Sequence, residues 1–169
     1  MPHSAFTLFA REELQRLLAS QYRLSGLPCA LLDADGQVLV SVGRQDLLGG
    51  FVSATGETRC GCRLAEGQVS QQLQSGCVLV FPCSHGLREY VAPVIVRGRH
   101  LASLLVGPVL HAPPDREGFR RRAQEVGADV QAFLGALDRV PILSEDRVHT
   151  ILEVQAEMAR LAAVLGLER

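Results

Sequence analysis

Apolar positions recur at helical spacing at the start of the chain. Leu8, Leu14, Leu17, Leu18 and Tyr22 share one face, which predicts an amphipathic helix over residues 5–24, ended by Gly26 and Pro28. The period then changes. Cys29-Ala30-Leu31-Leu32 is a short apolar run, Asp33-Ala34-Asp35-Gly36 is a turn that supplies a positive φ, and Val38 to Val42 runs back, so together they make a β-hairpin. Residues 43–59 are rich in Gly, Ser and Thr and carry little period, as a loop does, with Gly49-Gly50 as a turn. Residues 63–75 place Leu64, Val69 and Leu73 on one side of an otherwise polar helix.

Residues 78–82, 89–96 and 100–106 read as strands. The last two are nearly continuous in apolar residues, hence mostly buried, and Arg97-Gly98-Arg99 makes a tight turn between them. Pro113-Pro114 breaks the chain, and Asp115 is a good N-cap for a helix running to about Val126. Residues 129–137 form another short helix, which Pro141 ends. Ser144 caps a last helix over residues 145–165, whose apolar stripe of Val148, Ile151, Leu152, Met158, Leu161, Ala162 and Leu165 is interrupted by Gln155. The chain carries no internal repeat.

The order helix, two strands, helix, three strands, helices fits an α+β fold. It predicts a five-stranded antiparallel sheet with helices on one face, in the manner of PAS and GAF sensor domains. Residues 1–142 would form the sensory domain. Residues 143–169 would form a C-terminal signalling or dimerisation helix, which either covers the sheet or packs in parallel against a second copy.

Composition narrows the function. With 169 residues, 47% hydrophobic and 21% charged, the chain suits one globular domain. A formal net charge of −1 argues against a general nucleic-acid surface, and Arg120-Arg121-Arg122 reads as a solvated helix face. No stretch is long and apolar enough to span a membrane and no signal peptide is visible, so a cytoplasmic protein is expected.

The chemistry is concentrated between residues 60 and 87: Cys60-Gly61-Cys62, Cys77 and Cys83-Ser84-His85. Thiols are soft ligands and reactive nucleophiles. Cys60, Cys62 and Cys83, with Cys77 or His85, could supply the four N or S ligands that zinc takes in a tetrahedron, or the thiolates of an iron–sulfur cluster. The Cys-x-Cys spacing is tighter than the usual zinc half-site, and reduced packing thiols remain the plain alternative. Cys29, beside Leu31 and Leu32, reads as core. A catalytic Cys83 with His85 or His100 lacks a recognisable third group, and neither a Cys-x-x-Cys redox motif, a P-loop nor a dinucleotide fingerprint is present, so an enzyme is not expected. His111 could border a pocket, and His149 is expected at the surface or facing a second copy.

The ordered set Tyr22, Ser25-Gly26-Leu27, Asp33-Ala34-Asp35-Gly36, Cys60 and Cys62, Cys83 with Gly86-Leu87, Pro93-Val94 and Gly98, then Pro141 and Ser144, resembles the PocR-type sensory domain over residues 5–165. Two features depart from that family: Pro108 stands where it has Gln after Gly107, and no Cys occurs over residues 45–58. The resemblance implies a bacterial or archaeal PAS-like sensor of small organic molecules, usually fused to a histidine kinase, a cyclic-nucleotide signalling domain or a DNA-binding regulator. The expected ligand site comprises Cys83, His85, Tyr90, Pro93, Val94 and Leu104, and the expected metal set is Cys60, Cys62, Cys77 and Cys83. The expected partners are a small-molecule ligand and a second copy of the chain. A thiol-based or iron–sulfur redox sensor is the alternative, and a small thiol- or metal-dependent enzyme a more distant one.

Overall fold

A computed structural model describes residues 3–44, 72–73, 75–82, 86–125 and 127–167. The first helix, α1 (His3–Ser25), stops at Gly26, which takes φ +70° and returns its N–H to the Tyr22 carbonyl at 2.8 Å. Strands β1 (Cys29–Asp33) and β2 (Val38–Val42) form the expected hairpin. Its turn is held by Asp33, whose Oδ1 accepts from the N–H groups of Asp35 at 2.9 Å and Gln37 at 2.8 Å.

After β3 (Leu79–Pro82), β4 (Arg88–Val96) and β5 (Arg99–Val109) make a second hairpin. Both central residues of its turn, Arg97 and Gly98, have positive φ, the geometry that matches the twist of paired strands. The strand order is β2-β1-β5-β4-β3, antiparallel throughout, so β1 and β5 join the two hairpins into the expected five-stranded antiparallel sheet of an α+β fold. Strand β5 runs on past the expected end at Val106 to Val109.

Three helices follow. Helices α2 (Arg116–Glu125) and α3 (Val130–Arg139) are capped by Asp115 and Asp129, whose carboxylates accept from backbone N–H groups of the first turn. They pack on each other through Phe119 and Phe133, with Leu87 and Leu110 beneath. Arg120 and Arg122 pair with Glu117 and Glu125 on the outer face, as a solvated arginine run does. Ser144 caps α4 (Glu145–Leu167), accepting from the Arg147 N–H at 3.3 Å.

Alternation along the strands builds two interiors. One face carries Leu31, Ala92, Val94, Leu104 and Val106 and is covered by Leu14 and Leu18 of α1 and by Val148, Leu152 and Ala159 of α4. The other carries Ala30, Leu32, Val91 and Leu105, with the helical residue Leu73 buried against them. The expected five-stranded antiparallel sheet flanked by helices is therefore found, and Leu73 adds a helical residue on the second face. Strands as continuously apolar as β1, β4 and β5 expose hydrophobic side chains on both sides and need cover on both. Of the helix expected over residues 63–75, only Gln72 and Leu73 lie within the described residues, and both are helical.

Candidate functional site

Tyr90 is fully buried near the start of β4. Its hydroxyl lies 2.7 Å from Nε2 of His111, and Nδ1 of His111 lies 2.6 Å from the Leu143 carbonyl, just before α4. A carbonyl only accepts, so Nδ1 carries the hydrogen and the Nε2 of a neutral ring accepts from Tyr90. Burial raises the phenol pKa, the nearby Glu145 carboxylate raises it further and Arg88 opposes, so the hydroxyl stays a donor. The ring of His149, in the second turn of α4, meets the Tyr90 ring edge-on at 5.3 Å and 79°. His149, expected at the surface or facing a second copy, is half-buried: its ring rests against Tyr90, beside the buried stripe of Val148 and Leu152, while 40% of its side chain stays exposed.

A second polar joint stands at the opposite side of the strand. Alternation turns Glu89 away from Tyr90, toward the side of Val91, with Phe81 as its cross-strand neighbour. Glu89 is 0% exposed and Arg44 5%. Nη1 of Arg44 donates to Glu89 Oε1 and to the Gly107 carbonyl, each at 2.7 Å. Among the described residues, Oε2 of Glu89 has no hydrogen-bond partner. Leaving a buried charged acceptor unpaired costs about 1–3 kcal/mol or more. Gly107 is required here: its φ is +120°, and a Cβ would stand 2.8 Å from the Arg88 carbonyl and 3.2 Å from Glu89 Cα. Gln155 of α4 is also 0% exposed, and both its amide atoms lack partners among the described residues.

The expected ligand residues divide between the faces. Tyr90, Val94 and Leu104 lie in the core under α1 and α4. Pro93 is half-buried on the other side, opposite Ser103. Cys83 and His85 lie outside the described residues, as do Cys60 and Cys62 of the expected metal set. Cys77 is exposed, with Ser75 Oγ 3.4 Å from its sulfur. Among the described residues no group of three or more His, Cys, Asp or Glu side chains could hold a metal ion. Cys29 is core, as expected; burial pushes its thiol up to about 11 against a weaker opposing pull from Arg44. His100 is half-buried with Nε2 2.9 Å from Ser103 Oγ, and desolvation lowers its pKa.

Sequence reasoning missed the pairing of Arg44 with Glu89. The available signal was a charged residue at the mouth of the apolar run Tyr90 to Val96, which has no local partner.

Comparison with protein families matches residues 7–167 to the family described as the sensory domain found in PocR. Among solved structures the chain is similar to the LOV protein of Rhodobacter sphaeroides. The identity is 15%, the match covers 94% of this chain and 98% of that one, and the TM-score is 0.39. No curated protein matches the chain.

Proposed function

Because the chain belongs to the family of sensory domains found in PocR, we propose that it binds a small molecule at the sheet and passes the bound state to α4. The observation that carries this reading is the joint at Tyr90. One buried side chain on β4 reaches Leu143, two residues before α4, through His111 and touches α4 directly through His149. A ligand that displaced β4 by a fraction of an ångström would meet a fixed hydrogen-bond chain at the root of the helix. Signalling requires that the ligand favour one arrangement of the helix over another. The domain binds and does not turn over its ligand, and α4 passes the state to a second copy and to an output domain of the kinase, cyclic-nucleotide or transcription-regulator kind.

Within this reading Tyr90, Val94 and Leu104 meet the ligand on the face under α1 and α4, Pro93 acts on it through the strand from the other face, and Cys83 and His85 are assigned to recognition from the sequence. Cys60, Cys62, Cys77 and Cys83 hold zinc or an iron–sulfur cluster. Cys77 suits that role in one respect: it is exposed, two residues before β3.

Elemental analysis and an absorption spectrum of protein purified without oxygen test the cysteine part. About one zinc per chain, or iron with sulfide and a brown colour, is the expected result, and metal-free protein would end it. Hydrogen exchange before and after removal of the bound metal or co-purified molecule tests the relay. Protection should change in α4 more than in α2 and α3; equal change in all three helices would rule the relay out.

A further inference from the structure

We propose that Arg44 is a latch across a β-bulge, and that the closed latch holds Tyr90 where it reaches His111 and the root of α4. The inference rests on the relay reading above for its last step, from Tyr90 to α4. Between the pairs Arg88↔Val109 and Tyr90↔Val106, β4 has one residue, Glu89, and β5 has two, Gly107 and Pro108. Such a bulge interrupts the ladder of backbone hydrogen bonds. Pro108 has no N–H, and Gly107 gives its own to the Pro28 carbonyl at 2.8 Å, so neither residue donates to β4. Arg44 supplies the bridge instead. Its Nη1 donates to Glu89 Oε1 on one strand and to the Gly107 carbonyl on the other, each at 2.7 Å.

Latch and relay sit on consecutive residues. Glu89 and Tyr90 are both fully buried and turn to opposite faces of the sheet. On the facing strand, Gly107 leads directly through Val109 to His111. The two segments are thus joined twice around the bulge, by Arg44 on one face and by Tyr90 with His111 on the other. A bulge bends its strand and sharpens the local twist. Release of Arg44 lets the bulge relax and turns Tyr90 away from His111. A shift of about 1 Å takes that 2.7 Å contact beyond hydrogen-bond reach. The latch is poised rather than locked. Oε2 of Glu89 has no partner among the described residues, so the pair lacks the further hydrogen bonds that hold a buried ion pair firmly. The bulge, closed or relaxed, is the element with two arrangements that coupling between the faces requires.

Hydrogen exchange of the full chain, followed by NMR, tests the coupling as a double-mutant cycle. Arg44→Met combined with Glu89→Leu removes both sides of the latch, an exchange of a buried ion pair for apolar side chains that commonly leaves a fold intact. Tyr90→Phe removes the tie to His111. The latch variant and Tyr90→Phe should each lower protection over residues 145–150 at least fivefold, and together no more than twofold beyond either alone. The nitrogen chemical shift of His111 Nε2 should move in the latch variant toward its value in Tyr90→Phe. Losses that multiply, or an unmoved Nε2, overturn the latch and leave the relay standing. Unchanged protection in Tyr90→Phe alone overturns the relay, and the latch with it. If the latch variant does not fold, exchange of the parent in rising urea decides. The amides of Gly107 and Val148 should then open together, in a step below global unfolding. Separate openings, or exchange of both only through global unfolding, overturn the latch.

Discussion

The Nδ1 atom of His111 lies 2.6 Å from the carbonyl oxygen of Leu143, so a residue just past the end of β5 holds the chain at the point where α4 begins. The backbone reinforces the joint. Leu110 exchanges hydrogen bonds with this segment, its N–H donating to Pro141 at 2.9 Å and its carbonyl accepting from Leu143 at 2.9 Å. The start of α4 is thus tied to the sheet by main chain and side chain, and the side-chain tie runs on to Tyr90.

Tyr90→Phe should separate these two ties. It keeps the ring that His149 touches and removes the hydroxyl that His111 accepts. The expected loss is about 1 kcal/mol of unfolding free energy, the usual net worth of one intramolecular hydrogen bond. Urea denaturation reads the loss, and amide exchange should rise in residues 145–150 ahead of the rest of α4. Unchanged exchange in that first stretch would mean that the main-chain bonds at Leu110 hold the helix alone.

Gln155→Leu should stabilise the protein. Gln155 lies on the buried stripe of α4 between Leu152 and Ala159, with neither amide atom partnered among the described residues. Replacing an unsatisfied amide by an apolar side chain of similar size removes a desolvation penalty of roughly 1–3 kcal/mol. A rise in the urea midpoint without a change in slope would report it. A fall would mean that the amide has a partner the variant loses. If the buried amide keeps the docking of α4 marginal, the same variant should also show slower exchange along the helix.

The parts of the fold legible in the sequence are those fixed by local chemistry. Asp33 and Gly36 specify the first turn, Arg97-Gly98 the second, and Asp115 and Ser144 the starts of α2 and α4, because each acts within four residues of itself. The apolar character of β4 and β5 announced their burial. What it did not announce was the need for cover on both faces, since a continuous apolar run erases the alternation that tells one face from the other. The polar joints were illegible for a different reason. Arg44 meets Glu89, and Tyr90 meets His111 and His149, only after the sheet has brought distant segments together, and nothing near any of these residues names its partner. The cysteine cluster announced chemistry, but Cys60, Cys62 and Cys83 lie outside the described residues.

Two cysteines should differ sharply toward alkylation. Cys29 is fully buried with its thiol pushed up to about 11, whereas Cys77 is exposed. At pH 8 only about a thousandth of a thiol with that pKa is thiolate, the reactive form. Peptide-resolved iodoacetamide labelling of the folded protein, with any bound metal first removed by a chelator, should modify Cys77 and spare Cys29 until urea unfolds the chain. The same shift carries a sign for stability. The folded state holds the Cys29 proton more tightly than the unfolded state, so this contribution is complete below the unfolded value of 9.0 and is lost as pH rises from there toward about 11. Native-state labelling of Cys29 at the rate of Cys77 would show that β1 opens locally.

Leu161→Arg should dissociate the proposed pair of copies. Ile151, Val154, Met158, Leu161 and Leu165 alternate by three and four along α4, the spacing of a helix–helix seam. They lie beside the stripe of Val148, Leu152, Ala159 and Ala163 that the domain already buries. Val154 is 45% exposed, Leu161 49% and Leu165 62%, so these three are open to a second helix, while Ile151 also packs on the domain's own core and Met158 accepts from Gln21 of α1. An arginine at Leu161 would have to be desolvated opposite its symmetry mate, a like-charge contact at the centre of the seam. Sedimentation equilibrium of the parent should give a dimer and of Leu161→Arg a monomer, with a weakening of at least a hundredfold. Because Leu161 is half-exposed in the single chain, the monomer's urea midpoint should barely move. A parent that sediments as a monomer would remove the second copy altogether. A variant that remains dimeric would place the contact between copies somewhere other than this face of α4.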